Sequence, residues 1–232
     1  VTDSARRYRV VEAFQRIPSL VHGFGTRYWG EDGLNSCPEL AGFRHVSLCQ
    51  THSDIVHTIT RYPHDKMEGD ALVTDRPGIL LNIKTADCLP VLVVDPQRRV
   101  VAAVHCGWRG TLKNVIAETL RTIIQNFGSD VSSLRVALGP CIDKSCYEVG
   151  EDVRERFERY GISNGNFNRH PFKREKYLFD LRGTNRAQIL EMGVPREQIF
   201  SVDLCTYCEK DLFSYRRDKA HAGRLINFIG LS

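Results

Sequence analysis

The chain predicts an α/β (α+β) fold in which a mixed β-sheet is layered with helices. Three observations carry that expectation. Four β-rich runs follow one another closely: GDALVTD, PGILLNIKT, LPVLVVD and RVVAAVH. The hydrophobic period then switches to helical spacing from Thr111. Beyond that point strand-like and helix-like segments alternate, as they do in layered folds.

Taken in order, residues 20–26 (LVHGFGT) read as a short strand that runs into the loop YWGEDGLNSCPE. Residues 43–62 read as two short strands broken at QTHSD. The four β-rich runs are dominated by Val, Ile and Leu and separated by turn residues at 75–78 and 95–96. Their near-continuous apolarity marks strands covered on both faces. Leu112, Val115, Ile116, Thr119, Leu120, Ile123, Ile124 and Phe127 recur at helical spacing, and Gly128 stands where a left-handed residue ends a helix. LRVALG is a strand, GEDVRERFERYG a charged amphipathic helix and NGNFNRHPFKRE a polar loop. LRGTNRAQILEMGV is a helix ended by Gly193, IFSVDL a strand and LINFIGL a final strand. No repeat or linker divides the chain, so residues 1–232 read as one domain.

Composition narrows the function classes. Of 232 residues, 42% are hydrophobic and 26% charged, which is ordinary for a globular domain able to bury a large core. The net charge of +4 is mild; it favours anionic ligands such as phosphate. No Lys/Arg run or basic-aromatic stripe is present, so nucleic acid is not an expected partner. No stretch approaches the ~18 consecutive apolar residues of a membrane span. The opening VTDSARRYRV has no apolar segment of a secretory signal. Eight cysteines without such a signal fit a reducing, cytoplasmic setting, with most of them acting as small buried hydrophobes.

Against that background one trio stands out. His52 closes HVSLCQTH, Cys88 closes ILLNIKTADC and His105 closes RVVAAVH, ahead of the turn CGWRG. Two imidazoles and one thiolate make the ligand set of an open zinc site, with a fourth position left for water. All three lie at strand ends, where side chains gather at one edge of a sheet. A His or Cys there also serves as a satisfied core residue, and spacing alone leaves both readings open. Asp87 is a candidate to orient an imidazole or handle protons; Asp70 and Glu148 are further carboxylate candidates. A rival metal set is Cys205-Thr-Tyr-Cys208 with Cys141 and Cys146, which as four thiolates would close a structural zinc site.

GDALVTDRPGILLNIKTADCLPVLVVD, VAAVHCGWRGTLKNVI, LGPCIDKSCYEVGEDV and CTYCEKDLFSYRRDKAHAGRLINFI together resemble the YfiH-like family. That family has been called polyphenol oxidase or laccase-domain and is now understood as purine nucleoside phosphorylases. The resemblance runs from about HGFGTR to the C-terminus. It implies a layered α/β architecture similar to toxin deamidases and one zinc held by His52, Cys88 and His105. It further implies phosphorolysis of adenosine, inosine and methylthioadenosine to free base and ribose 1-phosphate, with adenosine deaminase as a second activity. Purine nucleosides and phosphate are the implied partners. The chain departs from the pattern at Cys106, at Ser-Asp after the Gln-x-His segment, and in the YWGED loop.

Phosphorolysis needs a cation to hold a phosphate dianion, and Arg is suited to it. Arg109 is the leading candidate, with Arg27, Arg216 and Arg217 behind it. Cys88, His105, Asp87 and Arg109 are thus the expected catalytic group, and Trp108 is a candidate purine platform. Three alternatives remain. One is a copper-dependent polyphenol oxidase, although Met67 and Met192 lie in no motif. Another is a metal-free hydrolase or deamidase with Cys88 as nucleophile and His105 as base. The third is a non-enzymatic, zinc-stabilised binding module, in which Cys106 or His57 would close the fourth position.

Overall fold

The computed structural model describes residues 7–29, 33–63, 65–162 and 166–232. Residues 30–32 of the YWGED loop, His64 and the start of the NGNFNRHPFKRE segment lie outside the described residues. The strands are β1 (Tyr8–Arg9), β2 (Leu20–Gly25), β3 (Arg44–Val46), β4 (Val56–Thr58), β5 (Ala71–Thr74), β6 (Ile79–Thr85), β7 (Leu89–Asp95) and β8 (Val100–Cys106). They continue as β9 (Arg135–Leu138), β10 (Glu148–Gly150), β11 (Phe167–Arg169), β12 (Lys176–Phe179), β13 (Ile199–Ser201) and β14 (Leu225–Leu231). The helices are α1 (Glu12–Gln15), α2 (Trp108–Leu112), α3 (Val115–Phe127), α4 (Glu151–Arg159), α5 (Leu181–Glu191) and α6 (Tyr215–Asp218).

The strands build two large mixed sheets and a small one. A five-stranded sheet runs β1-β2-β14-β6-β3 and a six-stranded sheet β13-β9-β7-β8-β5-β4. A three-stranded sheet, β10-β12-β11, stands apart from them. The last strand in sequence, β14, sits between β2 and β6 and pairs antiparallel with both.

Side-chain alternation explains why the central strands read as unbroken apolar runs. Along β7, Val91 and Val93 join one core with Ile116, Leu120 and Ile123 of α3, whereas Leu92 and Val94 join another with Leu81, Ile83 and Ile229 of the five-stranded sheet. The same split divides β8: Ala102 and Val104 face the helices, Val101 and Ala103 the second sheet. Both faces of the six-stranded sheet are therefore covered. The outer face of the five-stranded sheet is covered in turn by Trp29, Leu34, Cys37 and Leu40, which pack on Leu80 and Phe228.

Two local readings change. The helix expected to run on from Thr111 is broken: Asn114 adopts φ 62°, a left-handed state that asparagine tolerates, and separates α2 from α3. The polar segment NGNFNRHPFKRE carries β11, whose partner β12 lies beyond it. Gly128 and Gly193 end α3 and α5 at φ 64° and 92° as expected.

One core residue carries a measurable pH dependence. The His22 Nε2 accepts the Val11 N–H at 2.9 Å, and the ring lies 5.2 Å from that of Phe14. Burial drives its pKa down to about 4. Between about 6.5 and 4 the unfolded chain therefore takes up a proton that the folded chain refuses, and stability is lost as pH falls through that window, on the order of 1.4 kcal/mol per pH unit. His22→Gln keeps an acceptor for Val11 and does not titrate. Urea midpoints measured across that window should fall less steeply in the variant than in the wild type.

Candidate metal centre

Two of the crossings between the large sheets each deliver one member of the trio. The β3–β4 connection leaves the five-stranded sheet and carries His52; the β6–β7 connection makes the same passage and carries Cys88. His105 is the penultimate residue of β8 and pairs in register with Pro90. The potential ligand atoms of His52, Cys88 and His105 all lie within 4.8 Å of one another. The Cys88 Sγ is 3.9 Å from the His52 Nε2, and the two imidazole centroids are 4.9 Å apart at 75°. A tetrahedral zinc with bonds of about 2.0–2.3 Å requires ligand atoms roughly 3.5 Å apart. The spacing and the donor set fit such an ion, and the group can bind a metal.

A single carboxylate organises both imidazoles. Asp70, which no solvent reaches, lies immediately before β5. Its Oδ1 is 2.7 Å from His105 Nδ1, which leaves His105 Nε2 for the centre. Its Oδ2 accepts from the Ser53 N–H at 2.5 Å, the Ser53 hydroxyl at 2.7 Å and the Thr51 N–H at 3.3 Å, the two residues that flank His52. His52 itself holds φ 58°, an uncommon state for a residue with a side chain, and the clamp on either side maintains it. Gly107 closes the floor. A Cβ there would stand 2.7 Å from His52 Cδ2 and 3.1 Å from Cys88 Sγ, so only glycine permits this approach.

Charge is arranged accordingly. Burial alone would push the Cys88 thiol up, but the His105 charge and hydrogen bonds from both imidazoles outweigh it and bring the pKa down to about 6. Burial alone would lower His105; the Cys88 charge and the Asp70 hydrogen bond outweigh it and raise the pKa to about 9. Burial likewise disfavours the Asp70 carboxylate, and the His105 and Ser53 hydrogen bonds reverse this and hold it well below the usual carboxylate range. Without a metal the site is thus a thiolate–imidazolium–carboxylate line.

The centre opens into a cavity of about 430 Å³, within the usual range for small-ligand sites. Gln50, Lys84, Tyr215 and Arg224 line its walls beside the trio. Gln50 is fixed by two hydrogen bonds to the Lys84 backbone, at 2.7 and 2.8 Å. A larger open depression, about 560 Å³, lies beside His170 and Lys173, away from the trio.

Several expected residues stand elsewhere. Asp87 does not touch an imidazole: its carboxylate accepts the Thr206 hydroxyl and the Arg216 N–H, each at 2.6 Å, and it holds φ 90°. The imidazole partner is Asp70 instead. Arg109 is exposed on α2, with its guanidinium 4.4 Å from the Trp108 ring centroid, and it does not line the cavity. Trp108 packs at the edge of the helix-side core rather than on the cavity wall. Arg217 donates to the carbonyls of Thr206, Tyr207, Glu209 and Leu212, Arg216 to that of Glu148, and Arg27 to that of Lys210. These three arginines hold loops. Glu148 pairs with Lys173. Cys106 lies in the helix-side core, and His57 bonds the Glu68 carbonyl at 2.8 Å; among the described residues neither supplies a fourth ligand. Sequence reasoning missed Lys84, Tyr215 and Arg224. The signal for them was their place in the recognised segments, Lys84 and Arg224 at strand ends and Tyr215 at the start of α6.

Comparison with known proteins agrees with this architecture. The family model described as multi-copper polyphenol oxidoreductase laccase matches residues 35–232. The chain is 38% identical over 205 residues to a purine nucleoside phosphorylase of Clostridium acetobutylicum, covering 86% of this chain and 83% of that protein. It is 37% identical over 168 residues to adenosine deaminase RL5 of an unknown prokaryotic organism, covering 71% of this chain and 63% of that protein. The crystal structure of the hypothetical protein YfiH of Bacillus licheniformis superposes with a TM-score of 0.88 at 28% identity, over 98% of this chain and 97% of that one. With the family model spanning most of its length and relatives this similar, the chain belongs to the YfiH-like, laccase-described family.

Proposed function

We propose that this protein is a zinc-dependent purine nucleoside enzyme. It would cleave nucleosides such as adenosine, inosine and methylthioadenosine with phosphate, giving free base and the sugar 1-phosphate, and would deaminate adenosine as a second activity. The observation that carries the reading is the His52–Cys88–His105 group opening into a cavity walled by two cations and an aromatic ring. The names of its relatives supply the substrate class.

In this reading Cys88, His52 and His105 hold the metal, and zinc when bound supplies Lewis acidity at the inner end of the cavity. Asp70 keeps the proton of His105 on Nδ1, so that Nε2 stays available. Lys84 and Arg224 take the phosphate dianion, the task that sequence reasoning gave to Arg109. Tyr215 offers its face to the purine in place of Trp108. Asp87 acts at one remove, by fixing the turn that presents Cys88 and the first turn of α6 that carries Tyr215.

Copper chemistry has less support. Neither methionine lines the cavity, and the group among the described residues contains two imidazoles, far short of a multicopper cluster. A second reading draws on the Cys88–His105–Asp70 line, which has the order of a metal-free nucleophile, base and orienting carboxylate. A phosphate-dependent assay of base release, run with and without a chelator, separates the two. Activity lost to the chelator and restored by zinc supports the proposal; activity indifferent to chelator and lost to thiol alkylation supports the alternative.

Arg224→Ala should raise the KM for phosphate about tenfold or more, with a smaller change in the KM for nucleoside, because a charge-assisted contact is worth roughly 1.5–3 kcal/mol. Arg109→Ala should leave both constants near wild type. Initial-rate kinetics with phosphate varied checks the pair.

A further inference from the structure

A second set of sulfur atoms converges beside Thr206, the residue whose hydroxyl donates to Asp87. Cys205 and Cys208 lie in one turn, and Cys146 reaches them from the turn before β10. The three sulfurs all lie within 4.8 Å of one another, and Cys146 Sγ is 3.5 Å from Cys208 Sγ. Three thiolates around a tetrahedral zinc, with bonds of about 2.3 Å, stand roughly 3.8 Å apart. The Asp143 N–H points at Cys205 Sγ at 3.3 Å, a contact that stabilises a thiolate without competing for the metal. Cys141, expected as a fourth ligand, bridges Cys205 through the backbone but its sulfur is buried and lies outside the group.

Packing does not account for these cysteines. Cys37, Cys106 and Cys141 are buried as small hydrophobes, whereas Cys208 is exposed and Cys146 and Cys205 are half-buried. The turn that bears them is firmly held: the Arg217 guanidinium gathers the carbonyls of Thr206, Tyr207 and Glu209 at 2.8–3.1 Å. A disulfide between Cys146 and Cys208, the close pair, would leave Cys205 and the Asp143 N–H aimed at it unexplained. We infer that Cys146, Cys205 and Cys208 form a second metal site, built for a thiolate-preferring divalent cation such as zinc, with its fourth position open to solvent. Thr206, between two of these ligands, donates to Asp87 beside Cys88, so an ion held here fixes one wall of the cavity. The inference is independent of the nucleoside reading.

The test uses the full chain, reduced, equilibrated with buffered Zn²⁺ and dialysed before metal analysis. Cys208→Ser should hold one zinc equivalent fewer than wild type, and Cys88→Ala/Cys208→Ser one fewer than Cys88→Ala. That comparison is valid whether or not the first site binds. Cobalt loaded into Cys88→Ala should give an intense near-ultraviolet thiolate charge-transfer band, absent from the double variant. In wild type, zinc should protect these thiols from alkylation. Equal zinc content with and without Cys208, no cobalt band, or alkylation of the wild-type thiols undiminished by zinc would each overturn the inference. Because Cys208 is exposed, its replacement should leave the metal-free melting temperature unchanged. If it does not, protection of the wild-type thiols decides.

Discussion

Replacing Cys88 by alanine should remove one zinc equivalent and lower turnover by about three orders of magnitude, while the protein keeps its fold. The magnitude follows from the several kcal/mol of transition-state stabilisation that a Lewis-acidic ion supplies, at 1.36 kcal/mol per tenfold. The fold should survive because Cys88 stands half-buried in a three-residue turn between β6 and β7 and belongs to no apolar cluster. The loss also leaves a trace on its neighbour: without the thiolate charge, the pKa of His105 should fall from about 9, which histidine NMR titration of metal-free protein reads directly. Metal analysis and kinetics on one preparation check the prediction. A Cys88→Ala protein with wild-type zinc and wild-type turnover would remove the site from consideration.

Asp70→Asn should damage stability and metal affinity together. Asparagine matches aspartate in size but replaces one acceptor by a donor. If the amide nitrogen faces Ser53 and Thr51, it meets two N–H groups and a hydroxyl that all donate. If it faces His105, the imidazole must accept at Nδ1 and move its proton to Nε2, the nitrogen that faces the centre. Either arrangement leaves buried donors opposed. We expect a loss of roughly 3–5 kcal/mol in stability and of about 10–100-fold in zinc affinity. The pH sign is fixed by the depressed pKa of Asp70: its contribution is complete above the ordinary carboxylate range and is lost as pH falls below it. Denaturation profiles of the variant should therefore lack that part of the acid-induced fall. Zinc competition against a chromophoric chelator measures the affinity.

The central strands were legible in the sequence because both of their faces are buried, which turns an alternating pattern into a continuous one. What the pattern could not say is that the two faces meet different partners, so one mixed sheet was expected where two are packed together. The strands β10 and β12 escaped notice because EVG and KYLF are short and their pairing is distant in sequence. The trio was legible because His and Cys are conspicuous at the ends of apolar runs. Asp70 was named only among several carboxylates, since Gly-Asp before a strand reads first as a turn and its partners at residues 51, 53 and 105 are set by folding. The arginines of SYRRD misled for a physical reason: a guanidinium suited to phosphate oxygens is equally suited to backbone carbonyls, and Arg217 takes four of them.

The place of β14 sets the order in which the molecule can be made. This strand follows the other described strands along the chain, yet β2 and β6 meet only through it. A nascent chain still short of residue 231 therefore carries two long unpaired strand edges, each a template for pairing with another molecule. Lys84 and Arg224, which must share a wall, come together only after the ribosome has translated past both. The cavity wall is therefore completed only when β14 takes its place between β2 and β6.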